Sequence, residues 1–319
     1  MTLPLSPPLA PALALSRRAL PVGEDYAYEI KLDGFRCIAF VDGDELYLQS
    51  RGSKPLQRYF PELAFPAGRY VLDGEIVIRD ESGREQFDSL QQRIHPAASR
   101  IALLAGEIPA TYVAFDLLAH GDDTLMELPF AERRAALERL LADPGFAGAP
   151  IELMVSTTDP DRARVWLRDA EGAIAKQRSA PYEPGKRTGM VKVKRVRTID
   201  AVVAGWRPGK EPDTVGALIL ALYDGPELRV VGHCSGLSAS EKRRLVSFLA
   251  PYGTGERGSA DPSRWSSGRD LEWVALRPEL VVEIDFDHVS AGRIRHGAKL
   301  RRWREDKPPL QCTFDQLSV

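Results

Sequence analysis

At 319 residues, with 44% hydrophobic side chains, the chain is long enough for two domains of ordinary size and has the composition of a soluble globular protein. Forty-three basic residues against 45 acidic ones leave a formal charge of −2, so no overall basic field marks a nucleic-acid partner, and any such partner must be held by local patches. The three cysteines, Cys37, Cys234 and Cys312, lie far apart with no C-x-x-C pair, which excludes a disulfide framework, argues against cysteine-held zinc and fits a reducing cytoplasm.

The N-terminal PLSPPLAPALAL is apolar, but Pro7, Pro8 and Pro11 interrupt it, and Arg17 and Arg18 follow the run instead of preceding it. It reads as an extended lead segment, not a signal peptide. No run approaches the ~20 apolar residues of a membrane span.

From Tyr26 to about Lys194, β-rich runs recur: YAYEIKL, RCIAFVDG, ELYLQSR, YVLDGEIVI, TYVAFDLL, GAIAKQ and MVKVKRV. Helical spacing is predicted around Phe87–Arg93 and over Phe130–Leu141. After Arg197 come the strand runs IDAVVAGW, ALILALYD, ELRVVGHC and LVVEIDFDHV, with one amphipathic helix near Ser238–Ala250, a pattern that resembles a small barrel with one helix. Two basic strips bracket this second region: six basic residues and no acid over Lys186–Arg197, and seven basic residues against Glu305 and Asp306 over Arg293–Lys307. Solvated surface is the commonest meaning of such runs.

The stretch EIKLDGFR, Glu29 to Arg36, carries the chemistry of interest. In a continuous strand Glu29 and Lys31 share a face, and Asp33-Gly34 supplies a turn. For Lys31 to attack phosphorus its pKa must fall from ~10.4 to ~7–8, roughly 4 kcal/mol of differential interaction. Nearby acids push the other way, so a nucleophile here needs compensating cations or a metal. On this motif alone, a nucleophile and a charged strand end before an ordinary Asp-Gly hairpin stand level.

EIKLDGFR resembles the adenylated-lysine motif of covalent nucleotidyltransferases, specifically ATP-dependent DNA ligases. Further segments resemble that family's motifs in order: SRGSK (Ser50–Lys54) with the following FPEL, LDGEIV (Leu72–Val77), YVAFDLL (Tyr112–Leu118), EGAIAKQ (Glu171–Gln177), MVKVKRV (Met190–Val196) and RRWREDKPP (Arg301–Pro309). Seven ordered matches span nearly the whole chain. The likeness is strongest to small bacterial ligases of the ligase-C type and to the ligase module of bacterial end-joining enzymes.

The resemblance implies an α+β architecture: a nucleotidyltransferase (ATP-grasp-like ligase) domain over residues 1–197, followed by an OB-fold β-barrel domain over residues 198–319. It implies sealing of 3′-OH/5′-phosphate nicks in double-stranded DNA through a lysyl-AMP intermediate, in DNA repair, with ATP and Mg²⁺ (or Mn²⁺) as cofactors. Lys31 is then the nucleophile, and Lys192 and Lys194 are the paired lysines on the phosphates. Two ammonium groups on one strand face would also depress the pKa of a third lysine nearby. Glu29 would meet the adenine amino edge, Phe115 the adenine face, and Arg36 and Arg51 the ribose and phosphate. Glu75 would contact ribose or metal and Glu171 the metal, whose remaining shell would be phosphate oxygens and water. Arg302, Arg304 and Lys307, with Asp306, would engage the β- and γ-phosphates. That requires the second domain to swing, and a hinge is expected near Arg197–Asp200.

Taken singly, several of these features have blander meanings: VKVK as a defended strand edge, Phe115 as core, Glu75 and Glu171 as turn acids. The five histidines and Ser235 and Ser290 show no triad, metal or nucleophile-elbow spacing. Only 30 residues precede Lys31, which argues against NAD⁺ as the AMP donor. A cytoplasmic monomer without a membrane partner is expected, with repair proteins as possible helpers. The competing readings are an RNA ligase or mRNA-capping guanylyltransferase, and a non-catalytic nucleic-acid-binding protein. Labelling with ATP against GTP, and sealing of DNA against RNA nicks, separate them.

Overall fold

The computed structural model describes residues 2–259, 272–287, 289–290, 292–295 and 297–318. The chain divides into two compact units, Met1–Arg195 and Val196–Val319.

The first unit runs through β1 (Leu15–Ser16), β2 (Tyr26–Ile30), β3 (Phe35–Gly43), β4 (Glu45–Ser50) and β5 (Gly68–Val77), then α1 (Phe87–Gln92) and α2 (Ala98–Glu107). It continues with β6 (Thr111–His120), β7 (Asp123–Thr124), α3 (Phe130–Leu141), β8 (Ile151–Leu153), β9 (Ser156–Thr157), α4 (Pro160–Asp169), β10 (Gly172–Gln177) and β11 (Met190–Lys194). These strands form two sheets. One has the order β1-β11-β10-β2-β9; the other has the order β4-β3-β5-β6-β7, with β8 beside β6.

The six-stranded sheet is buried on both faces, which explains the unbroken apolar run CIAFV in β3. Cys37, Ala39 and Val41 point into a core with Leu72, Ile76, Tyr112 and Leu137. Ile38 and Phe40 point the other way, toward Val71, Leu118 and Tyr182. That second face is covered by the lead segment, through Leu3, Leu5, Leu9 and Ala12. The Gln49 side chain fastens it, donating to Leu9 O at 2.6 Å and accepting from Leu9 N at 3.0 Å. β1 then pairs in parallel with β11, placing Ser16 opposite Lys192.

Two helices lie outside the predicted set, α2 and α4. α4 starts with Asp159, whose side chain accepts from Asp161 N, followed by Pro160 in the first turn. That Asp-Pro pair is a recognisable helix start.

The second unit contains β12 (Arg197–Pro208), β13 (Val215–Asp224), β14 (Glu227–Cys234), α5 (Ala239–Leu249), β15 (Gly253–Ser259), β16 (Glu272–Leu276), β17 (Val281–Phe286), β18 (Val289–Ser290), β19 (Arg293–Ile294) and β20 (Lys299–Trp303). Its main path is β14-β13-β12-β16-β15, with β17 joining β12 to β20. The long β12 divides one edge between two partners: residues 197–202 pair with β17, and Gly205 and Trp206 pair with β16. Leu218, Leu220 and Leu222 of β13 pack with Val202, Val231, Leu245 and Ile284 in a single core. α5 is closed by a capping box in which Ser238 and Glu241 satisfy each other's backbone N–H.

Among the described residues no ladder closes this sheet into a barrel. One isolated bridge, Cys234 to Ala298, connects the end of β14 to the residue preceding β20. The expected hinge stretch Arg197–Asp200 is part of β12, held against Phe286–Glu283. The only residues between β11 and β12 are Arg195 and Val196. His288 and His296 lie outside the described residues. Among the described residues no helix is long and apolar enough to cross a membrane.

Candidate active site

Lys31 sits just beyond the end of β2, in the segment 31–34 that carries the chain from one sheet to the other. The hairpin alternative is therefore excluded, because β2 pairs with β10 and β9 whereas β3 pairs with β4 and β5. The crossing is tight at Gly34, where a Cβ would lie 2.4 Å from Ile76 O and 2.7 Å from Glu75 Cγ. Only a residue without a side chain passes there without displacing β5. Asp33 N donates to Glu85 Oε2 at 2.9 Å and Lys31 N donates to Gly172 O at 3.0 Å, so the backbone is fastened on both sides.

A cavity of about 520 Å³ opens here. Seven of the residues singled out from sequence line it: Glu29, Lys31, Arg36, Arg51, Glu75, Phe115 and Lys192. Pro11, Leu13 and Ala14 of the lead segment form part of its wall.

Glu171 lies at the start of β10, directly beside the lysines. Its Oε1 is 3.3 Å from Lys31 Nζ and 3.6 Å from Lys194 Nζ. Gly172 permits this approach, since a Cβ there would sit 2.2 Å from Val193 O. Burial lowers the Lys192 pKa, and the charges of Lys31, Lys194, Arg51 and Arg187 lower it further. This is a concentrated cationic site poised for an anion.

At the other end, Glu29 is 2% exposed, and its Oε2 lies 2.8 Å from Lys176 Nζ. Burial raises the Glu29 pKa, against the opposing charges of Lys176 and Arg134. Its Oε1 has no hydrogen-bond partner, so one buried acceptor is left over. The concern that Glu29 would hold Lys31 protonated is thus removed by the fold: Glu29 pairs with Lys176, and Glu171 pairs with Lys31.

Lys176 was not among the residues singled out, although it lies in EGAIAKQ. Period-two alternation sets it on the same face as Ile174, and both line the cavity. Its Nζ is 4.5 Å from the centroids of Phe115 and Phe130 and donates to Phe115 O at 3.2 Å. Arg36 stands 4.7 Å from the same Phe115 ring and is locked to Asp73 by bonds of 2.6 Å from Nε and Nη2. Burial opposes the Arg36 charge, but Asp73 outweighs it and the pKa rises. Asp73 also accepts from Tyr182 OH at 2.5 Å, and Arg36 Nη2 reaches Ala12 O at 3.2 Å. Asp73 and Tyr182 carry no local sequence signal beyond LDGE and an isolated aromatic.

Glu75 faces the cavity, its carboxyl pushed up to about 7 by burial despite the Arg36 and Lys31 charges. Among the described residues no group of three or more His, Cys, Asp or Glu could hold a metal unaided.

Arg302, Arg304 and Lys307 belong to the second unit and are engaged there. Arg302 Nε lies 2.7 Å from Glu283, and Arg304 bonds both Asp306 and Asp200 at 2.8 Å. Lys307 Nζ is 3.6 Å from Asp200.

The family model described as ATP dependent DNA ligase domain matches residues 7–194. The chain belongs to the ATP-dependent DNA ligase family. A second model, the ATP dependent DNA ligase C terminal region, matches residues 211–307. The ligase is 44% identical to DNA ligase C2 of Mycolicibacterium smegmatis, over 99% of this chain and 96% of that one. DNA ligase C of Mycobacterium tuberculosis matches it at the same identity and coverage. Among solved structures, a mycobacterial DNA ligase D complexed with ATP and MES matches the ligase with a TM-score of 0.53 and 28% identity, covering 96% of this chain and 98% of that one.

Proposed function

We infer that this ligase seals nicks in double-stranded DNA in three phosphoryl transfers. Lys31 Nζ attacks the α-phosphorus of ATP and pyrophosphate leaves. The AMP passes from Lys31 to the 5′-phosphate of the nick, and the 3′-hydroxyl then displaces AMP. The observation that carries this reading is the placement of Lys31 beside Glu171, Lys192 and Lys194 at a cavity that holds a leftover acceptor, Glu29 Oε1, and an aromatic ring, Phe115. DNA ligase relatives matching nearly the whole chain favour DNA over RNA joining or capping, and favour activity over an inactive binding protein.

In this reading Glu29 Oε1 accepts from the adenine amino group and Phe115 packs on the base. Arg36 and Arg51 meet the ribose and phosphate. Lys192 and Lys194 hold the phosphate oxygens where charge accumulates as the bond to pyrophosphate breaks. Lys31 must first part from Glu171 and shed a proton, which cationic neighbours favour. Glu75 and Glu171 suit a divalent ion: the first is a carboxyl whose pKa burial raises to about 7 and an adjacent cation would lower again, and the second is a carboxylate paired with Lys31 and Lys194. Phosphate oxygens and water would complete the shell, and the ion, Mg²⁺ or Mn²⁺, would offset phosphate charge.

The first unit serves as the adenylation domain. The second, read as an OB-type barrel on the strength of the Cys234–Ala298 bridge, brings Arg302, Arg304 and Lys307 to the β- and γ-phosphates. The turning point falls at Arg195–Val196, before the paired stretch of β12. The basic strips grip DNA phosphates, with affinity that falls as salt rises. A cytoplasmic monomer acting in repair, recruited by other repair proteins, completes the reading.

A nick-sealing assay with ATP on DNA and RNA strand combinations, comparing wild type with Lys31→Ala, tests it. DNA sealing by wild type and none by the variant is expected. Sealing confined to RNA, or label from α-labelled ATP at a residue other than Lys31, would overturn it.

A further inference from the structure

The second unit contains a carboxylate that no step above uses. Asp200 of β12 presents Oδ1 to Arg304 Nη1 at 2.8 Å and Oδ2 to Lys307 Nζ at 3.6 Å. One acid thus holds two of the cations assigned to the departing pyrophosphate. Arg304 has its other edge on Asp306, with Nε to Oδ1 at 2.8 Å and Nη2 to Oδ2 at 2.9 Å, and Glu283 Oε2 stands 3.7 Å from its Nη1.

Asp200 is itself held with unusual care. Its backbone lies in the β12–β17 ladder opposite Glu283. The Gln316 side chain clamps the same residue, accepting from Asp200 N at 3.0 Å and donating to Asp200 O at 3.1 Å. Gln316 also donates to Thr313 O, which ties the C-terminal segment to the clamp. The carboxylate is only 14% exposed and its Arg304 partner 16%, so water screens the pair weakly.

We propose that Asp200 is the positioning residue of the pyrophosphate-side cations: its fixed carboxylate overcomes the mutual repulsion of Arg304 and Lys307 and presents them together as one clamp. The proposal rests on the reading of Arg304 and Lys307 given above. An arginine and a lysine on flexible stems would otherwise sample many arrangements, and a clamp that stabilises a departing anion works when its groups are in place beforehand. Arg302 differs from them. It is 62% exposed and bonds Glu283 through Nε, so it contributes charge without belonging to the Asp200 cluster.

The consequence is step-specific. Pyrophosphate leaves only when Lys31 is adenylated, so loss of Asp200 should impair that step and spare the last one, which contains no pyrophosphate. In the full-length protein, single-turnover labelling of Lys31 by α-labelled ATP should fall roughly 10- to 100-fold in Asp200→Asn. Joining of a nick carrying a preformed 5′-adenylate, without ATP, should stay within about twofold of wild type, a change below the tenfold that corresponds to 1.36 kcal/mol of barrier. Asp200→Glu should recover part of the labelling. Gln316→Ala, which loosens the clamp and keeps the charge, should show a smaller loss of the same kind.

Unchanged labelling in Asp200→Asn, with labelling lost in Arg304→Ala and Lys307→Ala, would overturn the role of Asp200 alone. Equal losses in labelling and in joining of the adenylated nick, together with a lowered melting temperature, would reduce Asp200 to a structural residue. If Arg304→Ala and Lys307→Ala both label normally, the pyrophosphate-side reading itself fails.

Discussion

The Lys31 ammonium lies 3.3 Å from a Glu171 oxygen, although 140 positions separate the two residues. The proposed nucleophile is therefore held as an ion pair, with Lys194 sharing the same oxygen at 3.6 Å. Lys31→Ala should give no covalent label from α-labelled ATP. Glu171→Ala should retain the nucleophile yet lower labelling by about 10²- to 10³-fold, the range of a missing group at the reacting centre. Gel detection of the adenylated chain measures both, and wild-type labelling in Glu171→Ala would remove Glu171 from the reaction.

Glu75 sets a pH dependence. Its folded-state pKa of about 7 stands above the ordinary 4.5. Between those values the folded chain binds more protons at this site than the unfolded chain, so the site's contribution to stability is present at low pH and declines as pH rises through 7. The carboxylate form proposed to meet ribose or metal appears as pH rises through 7. Labelling of wild type should therefore rise through pH 7, and Glu75→Gln should be less active and lack that limb. A profile of the same shape in both proteins would rule Glu75 out as its source.

Lys176 and Glu29 form a buried pair, with 7% and 2% of their side chains exposed. Replacing the lysine by methionine leaves the buried carboxylate with the more distant Arg134, whose Nη1 is 3.9 Å from Oε1, so Lys176→Met should destabilise the first unit toward the lower end of about 3–5 kcal/mol. Adding Glu29→Gln should restore much of that loss. Denaturant unfolding of the two single variants and the double variant checks the coupling.

Gly34 offers a steric test. A methyl group there meets Ile76 O and the Glu75 side chain inside contact distance. Gly34→Ala should displace the 31–34 crossing and lower labelling at least tenfold, with about 1–3 kcal/mol of destabilisation from overpacking. Steady-state labelling with near-normal values would show that the crossing tolerates movement.

Much of this molecule could be read directly. Each long strand of the first unit announced itself through an apolar or alternating run, because pleated backbone sends neighbouring side chains to opposite faces. Helices α3 and α5 followed from their spacing. α2 (Ala98–Glu107) and α4 (Pro160–Asp169) lie outside the predicted set, although the Asp159-Pro160 pair marks the start of α4 in the sequence itself. β20 was hidden by its charges, with Lys299, Arg301 and Arg302 exposed along KLRRW.

By itself the amino-acid sequence determined the nucleophile candidate, the order of the motifs and the family they indicate, because each motif is a contiguous stretch whose spacing survives in one dimension. Only the tertiary structure decided which acid serves which base. Glu29, two residues from Lys31, turns to Lys176, while Glu171 crosses to Lys31, and Asp200 gathers Arg304 and Lys307. The first two choices depend on the register of antiparallel ladders, Glu29 opposite Ile174 and Gly172 opposite Lys194, and on the passage of residues 31–34 between two sheets; the third rests on the ladder that sets Asp200 opposite Glu283. Ladder register is fixed by packing over the whole domain, and no short segment contains it.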